Sequence, residues 1–173
     1  MAFTLAHMAA ALPFYRNQRW LCFDALLIGT MLPDLPYFLS SNPSVGQLSH
    51  QWAGIFSYCL PWGLLVFILW HWVLKLPAIM LIQPWCTVTP AQYTHTHQTT
   101  AQYPFGAWFA AKLKQYSVFW LTVIFGLTLG TFTHLLWDGT THPDGFIAKQ
   151  VEWLQYSIHI PILGTMPVAR FLQ

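Results

Sequence analysis

Histidine and aspartate residues recur near the end of one long apolar segment, and both residue types bind divalent metals. His134 and Asp138 are four residues apart, so on a helix they share one face. Pro143 disfavours helix at His142, which predicts that His142 lies on the loop just beyond. Together these side chains offer imidazole nitrogen and carboxylate oxygen, a ligand set that suits zinc, manganese or iron.

Other ligand-type residues precede this segment. Asp34 follows a proline, His50 follows a serine, and His7 lies in an N-terminal apolar stretch. An isolated His/Asp pair in a membrane helix commonly just satisfies its own hydrogen bonds, which is the structural alternative here. The convergence of ligand-type residues from separate segments favours a metal site, with a structural cluster as the alternative. His7 can join this site only if its helix is antiparallel to the segment that follows it.

The composition indicates a membrane protein. The 173 residues are 55% hydrophobic and only 7% charged, whereas soluble domains carry about 25% charged residues. The many aromatic residues suit a chain that meets lipid and its two interfaces. A net charge of +2 is too small and scattered for a nucleic-acid surface, so no nucleic-acid partner is expected.

The three cysteines, Cys22, Cys59 and Cys86, form no CxxC pair and predict neither a disulfide framework nor a thiolate metal site. We expect them to pack as small hydrophobic residues. The N-terminus lacks a basic region before its apolar stretch, so we expect no cleaved signal sequence.

The apolar segments predict an all-α fold. Residues 53–74 and 116–137 contain no Asp, Glu, Lys or Arg, and each exceeds the roughly 20 residues that a spanning helix needs. Residues 20–32 predict a shorter, partial crossing, and residues 3–15 predict a half-buried helix. We therefore expect one membrane-embedded domain over residues 1–173, a polytopic bundle of about three to four membrane-embedded helices. The second crossing is expected to end before residues 76–111, where any long helix is broken by Pro77, Pro84, Pro90 and Pro104. We interpret that region as a short re-entrant or interfacial piece followed by a polar loop.

The positive charges predict the sidedness of this bundle. If three segments cross in alternation, five basic residues fall on one side: Arg16, Arg19, Lys75, Lys112 and Lys114. The positive-inside rule makes that side cytoplasmic. The His/Asp motifs then face the outer side of the membrane.

The remaining ionisable residues have less specific interpretations. His71, between two tryptophans, is interpreted as an interfacial residue, and His95 with His97 as part of a polar loop, residues 87–103. Asp24 lies within the first segment, either as a second-shell partner of the site or as an interhelical hydrogen-bond acceptor.

Four motifs in order carry a resemblance to a known family. They are FTLAH (3–7), GTMLPD (29–34), SH (49–50) and THLLWD (133–138), the last followed by THPDG (141–145). The chain resembles DUF4184, an uncharacterised family of bacterial integral membrane proteins, over nearly its whole length. The resemblance implies a location in the bacterial inner membrane.

More distantly, the early His, the Pro-Asp and the later His-x3-Asp are similar to membrane-bound metal-dependent hydrolases and to zinc-dependent phospholipase C. That similarity implies zinc as the metal and, as its ligands, His7, Asp34, His50, His134 and Asp138. Members of the family continue past a Leu-Gln like Leu172-Gln173 into a further His and more helices, whereas this chain stops there.

These observations lead to two hypotheses from different classes. The first is a metal-dependent hydrolase of a lipid-linked or phosphoester substrate at the outer membrane face. In it a divalent metal activates water, and Asp34 or Asp138 orients that water or acts as base. The absence of a GxSxG motif argues against an acyl-enzyme route. The alternative is a non-catalytic membrane subunit that contacts other membrane proteins, with a structural His/Asp cluster.

Overall fold

In a computed structural model of the chain, the residues described are 7–16, 20–39, 43–82, 105–161 and 164–171. The fold is mostly helical. After a 3₁₀ helix at Met8–Phe14, the α-helices and one further 3₁₀ turn follow in this order: α1 (Phe23–Gly29), the 3₁₀ turn Leu32–Asp34, α2 (Leu35–Leu39), α3 (Pro43–Ser49), α4 (Trp52–Ile82), α5 (Phe105–Thr141), α6 (Glu152–Gln155) and α7 (Val168–Phe171).

Helix α4 is continuous through Pro77, so the expectation that this proline ends the helix is wrong. Two π-helical turns, Ile55–Cys59 and Trp70–Leu74, lie within it. Each contains the residue four positions before a proline, Pro61 or Pro77. A proline clashes with that carbonyl in a regular helix and donates no hydrogen bond to it. A wider turn at each position accommodates the ring and lets the helix continue.

Helices α1 and α5 lie parallel and unusually close. The Cys22 N–H donates to the Thr122 carbonyl at one end of the contact (3.4 Å). Gly126 and Gly130, a GxxxG pair on α5, make this approach possible. A Cβ at Gly126 would lie 2.8 Å from the Cys22 carbonyl oxygen, and one at Gly130 would overlap the Leu26 carbonyl oxygen.

Helix α4 lies antiparallel to α5. The Phe67 ring is 6.2 Å from the Phe119 ring near one end, and Trp52 is 5.7 Å from Phe132 near the other. Between these contacts a buried apolar core joins α1, α4 and α5; its buried members are Ala25, Leu32, Cys59, Phe67, Val123 and Leu127. The three helices therefore enclose one core and share two common ends.

Within the described part of the chain, two helices are long and apolar enough to cross a membrane, over residues Trp52–Ile82 and Leu113–Thr141. They include both charge-free segments predicted from the sequence. The expected partial crossing at residues 20–32 contains only the seven-residue α1, which is about 10 Å long and cannot span a bilayer of about 30 Å by itself. Of the N-terminal segment, the structure describes His7 and the 3₁₀ helix that follows it; Ala11 is fully buried there against Leu21 and Leu26.

A β-hairpin follows α6, and the all-α expectation missed it. Strand β1 (Ser157–Ile160) pairs antiparallel with β2 (Gly164–Pro167). The alternation of polar and β-branched residues in β1 is a strand signal, and Gly164 adopts a positive φ of 81° at the start of β2. The signal is short, and the helical character of the rest of the chain obscured it.

Candidate metal centre

The C-terminal end of α5 supplies half of the candidate site. His134 and Asp138 share one helix face, as the spacing predicts, and His134 Nε2 lies 3.2 Å from Asp138 Oδ2. His142 follows directly after the helix, and its backbone N–H donates to the Asp138 carbonyl (3.0 Å). That hydrogen bond places His142 Nδ1 3.5 Å from Asp138 Oδ1. One helix end therefore presents a carboxylate between two imidazoles.

Asp34 and His50 arrive from the segment between α1 and α4. Asp34 ends the 3₁₀ turn after α1, and His50 directly follows α3. The buried Ser49 hydroxyl lies 2.7 Å from the Pro33 carbonyl and 2.8 Å from the Gly46 carbonyl, both of which accept from it. Ser49 thus ties α3 to the turn that carries Asp34, and both ligand-type residues are held at the end of α5.

The four side chains of Asp34, His50, His134 and Asp138 surround one point. Asp138 Oδ2 lies 3.4 Å from His50 Nε2 and 3.2 Å from His134 Nε2. Asp34 Oδ1 lies 3.5 Å and 3.8 Å from the same two nitrogens. One oxygen of each carboxylate, Asp34 Oδ1 and Asp138 Oδ2, therefore faces both imidazoles.

Backbone carbonyls orient both imidazoles. His134 Nδ1 lies 2.7 Å from the Thr30 carbonyl, and His50 Nδ1 lies 2.8 Å from the Gly46 carbonyl. A carbonyl only accepts, so in each ring Nδ1 carries the proton and donates it. Nε2 is then the nitrogen that faces the shared point, and in the neutral ring it presents a lone pair there, as in histidines that bind metals.

His7 completes the centre from the N-terminal segment. Its ring stacks on that of His134 at a centroid distance of 3.9 Å, and its Nε2 lies 3.5 Å from Asp138 Oδ1. The side chain is 1% exposed. Burial, together with the neighbouring imidazole of His134, lowers the pKa of His7, which favours the neutral ring that metal binding requires.

Several polar atoms of the centre are buried without a hydrogen bond from the described part of the chain. They are both ring nitrogens of His7, Nε2 of His134 and Oδ1 of Asp138. His134 Nε2 lies 3.2 Å from the other carboxylate oxygen, Asp138 Oδ2, yet the two atoms are not aligned as donor and acceptor. Buried polar groups of this kind are costly and call for a partner. Metal-binding atoms that point toward a common position, and not toward one another, lack hydrogen bonds among themselves in this way.

The carboxylates also favour positive charge at His50. Burial lowers the pKa of this imidazole, but the carboxylates of Asp138 and Asp34 and the Gly46 carbonyl raise it by more, to about 9. His50 lies just outside the long helices, with its side chain 25% exposed. The centre is therefore electrostatically suited to a cation.

A cleft of about 600 Å³ opens beside the centre. Asp34, His50, Asp138 and His142 line its polar side. Its apolar side is formed by Tyr37, Phe38, Trp52, Leu135 and Phe146. The ligand-type residues therefore border a space large enough for a substrate headgroup, next to aromatic side chains that are themselves partly exposed.

A family comparison agrees with the resemblance seen in the motifs. The family model described as a domain of unknown function, DUF4184, matches residues 1–173. The chain belongs to this family. No curated protein and no solved structure matches it. The family assignment gives no activity, so the function of this DUF4184 chain is inferred from the arrangement of the His and Asp side chains in the centre.

Asp24 does not join the centre of the DUF4184 chain. It lies near the other end of the bundle, where its Oδ2 accepts from Trp70 Nε1 (3.4 Å) and Lys75 Nζ (2.5 Å) and lies 3.3 Å from His71 Nε2. Of the two roles expected for Asp24, interhelical acceptor is therefore correct. His71 pairs with this carboxylate, which the interfacial interpretation of His71 did not foresee.

The structure thus brings together all six residues that the sequence singled out: His7, Asp34, His50, His134, Asp138 and His142. His95 and His97 lie outside the described residues. Sequence reasoning missed the carbonyls of Thr30 and Gly46, because a backbone acceptor has no residue-type signal. It also missed the aromatic wall of the cleft, although Tyr37 and Phe38 follow Asp34 closely enough to have suggested it.

Proposed function

We propose that this protein is a divalent-metal-dependent hydrolase of a lipid-linked phosphoester at the membrane surface. The observation that carries the proposal is the four-ligand arrangement of Asp34, His50, His134 and Asp138. A tetrahedral site with metal–ligand bonds near 2.1 Å has ligand–ligand edges of about 3.4 Å. Four of the six edges of such a site are given by these residues and measure 3.2, 3.4, 3.5 and 3.8 Å. The ligand atoms of Asp34, His50 and His134 all lie within 4.8 Å of one another.

The donor set fits zinc, which the resemblance implies. Two imidazole nitrogens and two carboxylate oxygens suit zinc, manganese or iron, and their orientation by backbone carbonyls is typical of metal ligands. The two described cysteines are free and lie elsewhere. A divalent metal held by all four residues would need a fifth position, open to the cleft, in order to act as a Lewis acid toward the phosphoester and to lower the pKa of a bound water.

The protein's own residues supply the remaining functions. Asp34 and Asp138 both line the cleft, so either carboxylate is placed to orient an attacking water and accept its proton. The hydrogen bonds from His134 to Thr30 and from His50 to Gly46 hold both imidazoles in one orientation and tautomer. That preorganisation avoids reorienting the ligands during the reaction.

The cleft supports a lipid-linked substrate. Phe38, Trp52 and Phe146, on its apolar side, are 71%, 48% and 44% exposed. Aromatic side chains of this kind sit at the level of lipid headgroups. A substrate with its phosphoester at the His/Asp centre can therefore keep its lipid part against the aromatic wall and the membrane.

The exposed face of α4 supports a membrane location. Only 6% of its most apolar window is buried, and large apolar side chains face outward along it. They include Phe56, Leu65, Leu69, Trp72, Val73, Leu76, Met80 and Leu81. Soluble proteins rarely expose such a surface. We propose a polytopic bundle of three to four membrane-embedded helices in the bacterial inner membrane, with the centre on the outer face.

Phosphate release from vesicles tests the activity. Protein reconstituted with zinc in phospholipid vesicles should release water-soluble phosphoester or headgroup, and Asp138→Asn should reduce the rate by about 10²–10⁴-fold. His159→Ala, which removes an exposed histidine on β1, is the matched control and should keep the wild-type rate.

An inactive wild-type protein that nevertheless retains zinc would overturn the hydrolase proposal. It would favour the alternative, a non-catalytic membrane subunit with a metal-stabilised cluster. Equal rates for wild type and Asp138→Asn would show that any hydrolysis comes from a different site or a contaminant.

A further inference from the structure

The two carboxylate oxygens of Asp138 face different sets of imidazoles. Oδ2 faces His50 and His134, at 3.4 and 3.2 Å. Oδ1 faces His7 and His142, each at 3.5 Å. A single carboxylate therefore lies between two groups of nitrogen ligands, one on each oxygen.

Two edges on the Oδ1 side, those from Oδ1 to the two imidazoles, match the spacing of the first site. Both nitrogen–oxygen distances, 3.5 Å, match the edge of about 3.4 Å expected for a tetrahedral site with bonds near 2.1 Å. Oδ1 is buried and receives no hydrogen bond from the described residues, although two imidazoles lie beside it. An acceptor in this position requires a cation or a donor that the described side chains do not provide.

His7 points to the same conclusion independently. Its side chain is 1% exposed, and neither ring nitrogen has a hydrogen bond to the described part of the chain. Its stacking on His134 fixes the ring so that Nε2 faces Asp138 Oδ1. A buried imidazole held in this way is positioned to bind a metal and contributes no hydrogen bond to the packing.

We propose that Asp138 bridges two divalent metal ions, which leaves Asp34 as the carboxylate that accepts the proton of the attacking water. The first is the ion of the proposed function, and the second binds Asp138 Oδ1, His7 and His142. Three protein ligands leave an open position on the second ion, and His142 places that position at the cleft because its side chain is 40% exposed there. Paired metal ions that lie 3.5–4 Å apart are typical of enzymes that cleave phosphoesters.

This inference rests on the proposed metal site, and an experiment with Mn²⁺ tests the first and the second metal site separately. Detergent-solubilised full chain is brought to saturation with Mn²⁺ by equilibrium dialysis, and bound metal is counted while paramagnetic resonance is recorded. Wild type should bind two Mn²⁺ per chain and show a spin-coupled pair. His142→Ala should bind one and show the spectrum of an isolated ion, and His7→Ala should do the same. The control His159→Ala should behave as wild type.

The outcomes distinguish the two claims. Wild type that binds a single Mn²⁺ would overturn the second site and leave the first. A His142→Ala variant that keeps the coupled pair, or that loses both ions, would overturn the assignment of His142 to a separate second ion. Wild type that binds no Mn²⁺ or zinc would defeat the proposed function itself. Because the His142 side chain is 40% exposed, its variant should fold, and circular dichroism checks this.

Discussion

At the scale of single residues, the Ser49 side chain contacts none of the atoms that face the centre. It nevertheless holds together the segments that carry Asp34 and His50. Its hydroxyl interacts with the Pro33 carbonyl beside Asp34, and its own neighbour in the chain is His50. A buried hydrogen bond of this kind contributes about 1 kcal/mol. Loss of the Ser49 hydroxyl would also loosen the two segments that carry the proposed metal ligands Asp34 and His50.

We expect Ser49→Ala to lower the free energy of unfolding by about 1–2 kcal/mol and to weaken metal binding by about tenfold. Denaturant unfolding and zinc titration in detergent measure the two effects. The matched control is Ser57→Ala, since the exposed Ser57 hydroxyl donates only to the Ala53 carbonyl of its own helix (3.0 Å). Metal affinity that is the same in both variants would show that Ser49 does not support the centre.

Residue types and spacing predicted which side chains lie together better than they predicted the contacts that hold those side chains in place. The proximity of His134 and Asp138 could be predicted because they lie four residues apart on a helix. Asp34 stood out because the chain has few carboxylates, and His50 because it is a ligand-type residue in another segment. The hydrogen bond from His134 to the Thr30 carbonyl connects residues 104 positions apart. No local pattern encodes such a contact, because any residue type would offer the same carbonyl.

At the scale of secondary structure elements, the close contact of α1 with α5 determines where that carbonyl lies. Gly130 packs against the backbone of α1, and one turn further along α5, His134 meets Thr30. Thr131 also donates to the Gly29 carbonyl (3.2 Å). An added methyl group at Gly130 must push the two helices apart and so displace His134 from its acceptor.

Gly130→Ala is expected to cost about 1–3 kcal/mol of stability and to reduce bound zinc, because overpacking of a tight contact shifts the backbone. Thermal unfolding in detergent and elemental analysis provide the readouts. Thr128→Ala is the control on the same helix, since its hydroxyl donates only to Ile124 of α5 (2.8 Å). Wild-type stability and zinc content in Gly130→Ala would contradict the close packing described here.

The two long helices could be predicted from the sequence, whereas their internal irregularities could not. Hydropathy over 53–74 and 116–137 is a strong signal, and both segments are helical. Pro77 was expected to end α4, but the π-helical turn Trp70–Leu74 accommodates the proline ring and the helix continues. Such a turn depends on neighbouring contacts, including those of Trp70 and His71 with Asp24, which the sequence alone does not reveal.

At the scale of the whole molecule, the two polar clusters lie at opposite ends of the bundle. Asp24, His71 and Lys75 form one end, and the His/Asp centre lies at the other, where α5 ends. Lys75 is one of the five basic residues that the charge pattern assigns to the cytoplasm, and it lies at the end opposite the centre. The proposed orientation therefore places the β-hairpin and the centre outside.

Cysteine labelling in intact cells tests that orientation. In a background with Cys22, Cys59 and Cys86 replaced by alanine, Ser157→Cys on the hairpin should react with an impermeant thiol reagent. Gln115→Cys, at the N-terminal part of α5, should react only after the cells are opened. Both positions are exposed, so accessibility of the side chain is matched. The reverse pattern would place the centre on the cytoplasmic side.

The central claim, that the His/Asp centre binds a divalent metal, is tested most directly by the zinc content of purified protein. Wild type, His134→Ala and His159→Ala are saturated with zinc, dialysed to remove loosely held ions and analysed for elemental zinc per chain. His134 contributes a buried ligand and faces both Asp34 and Asp138, so its variant should lose zinc. Wild type and His159→Ala should retain at least one equivalent. No zinc in wild type, or equal zinc in wild type and His134→Ala, would contradict the account.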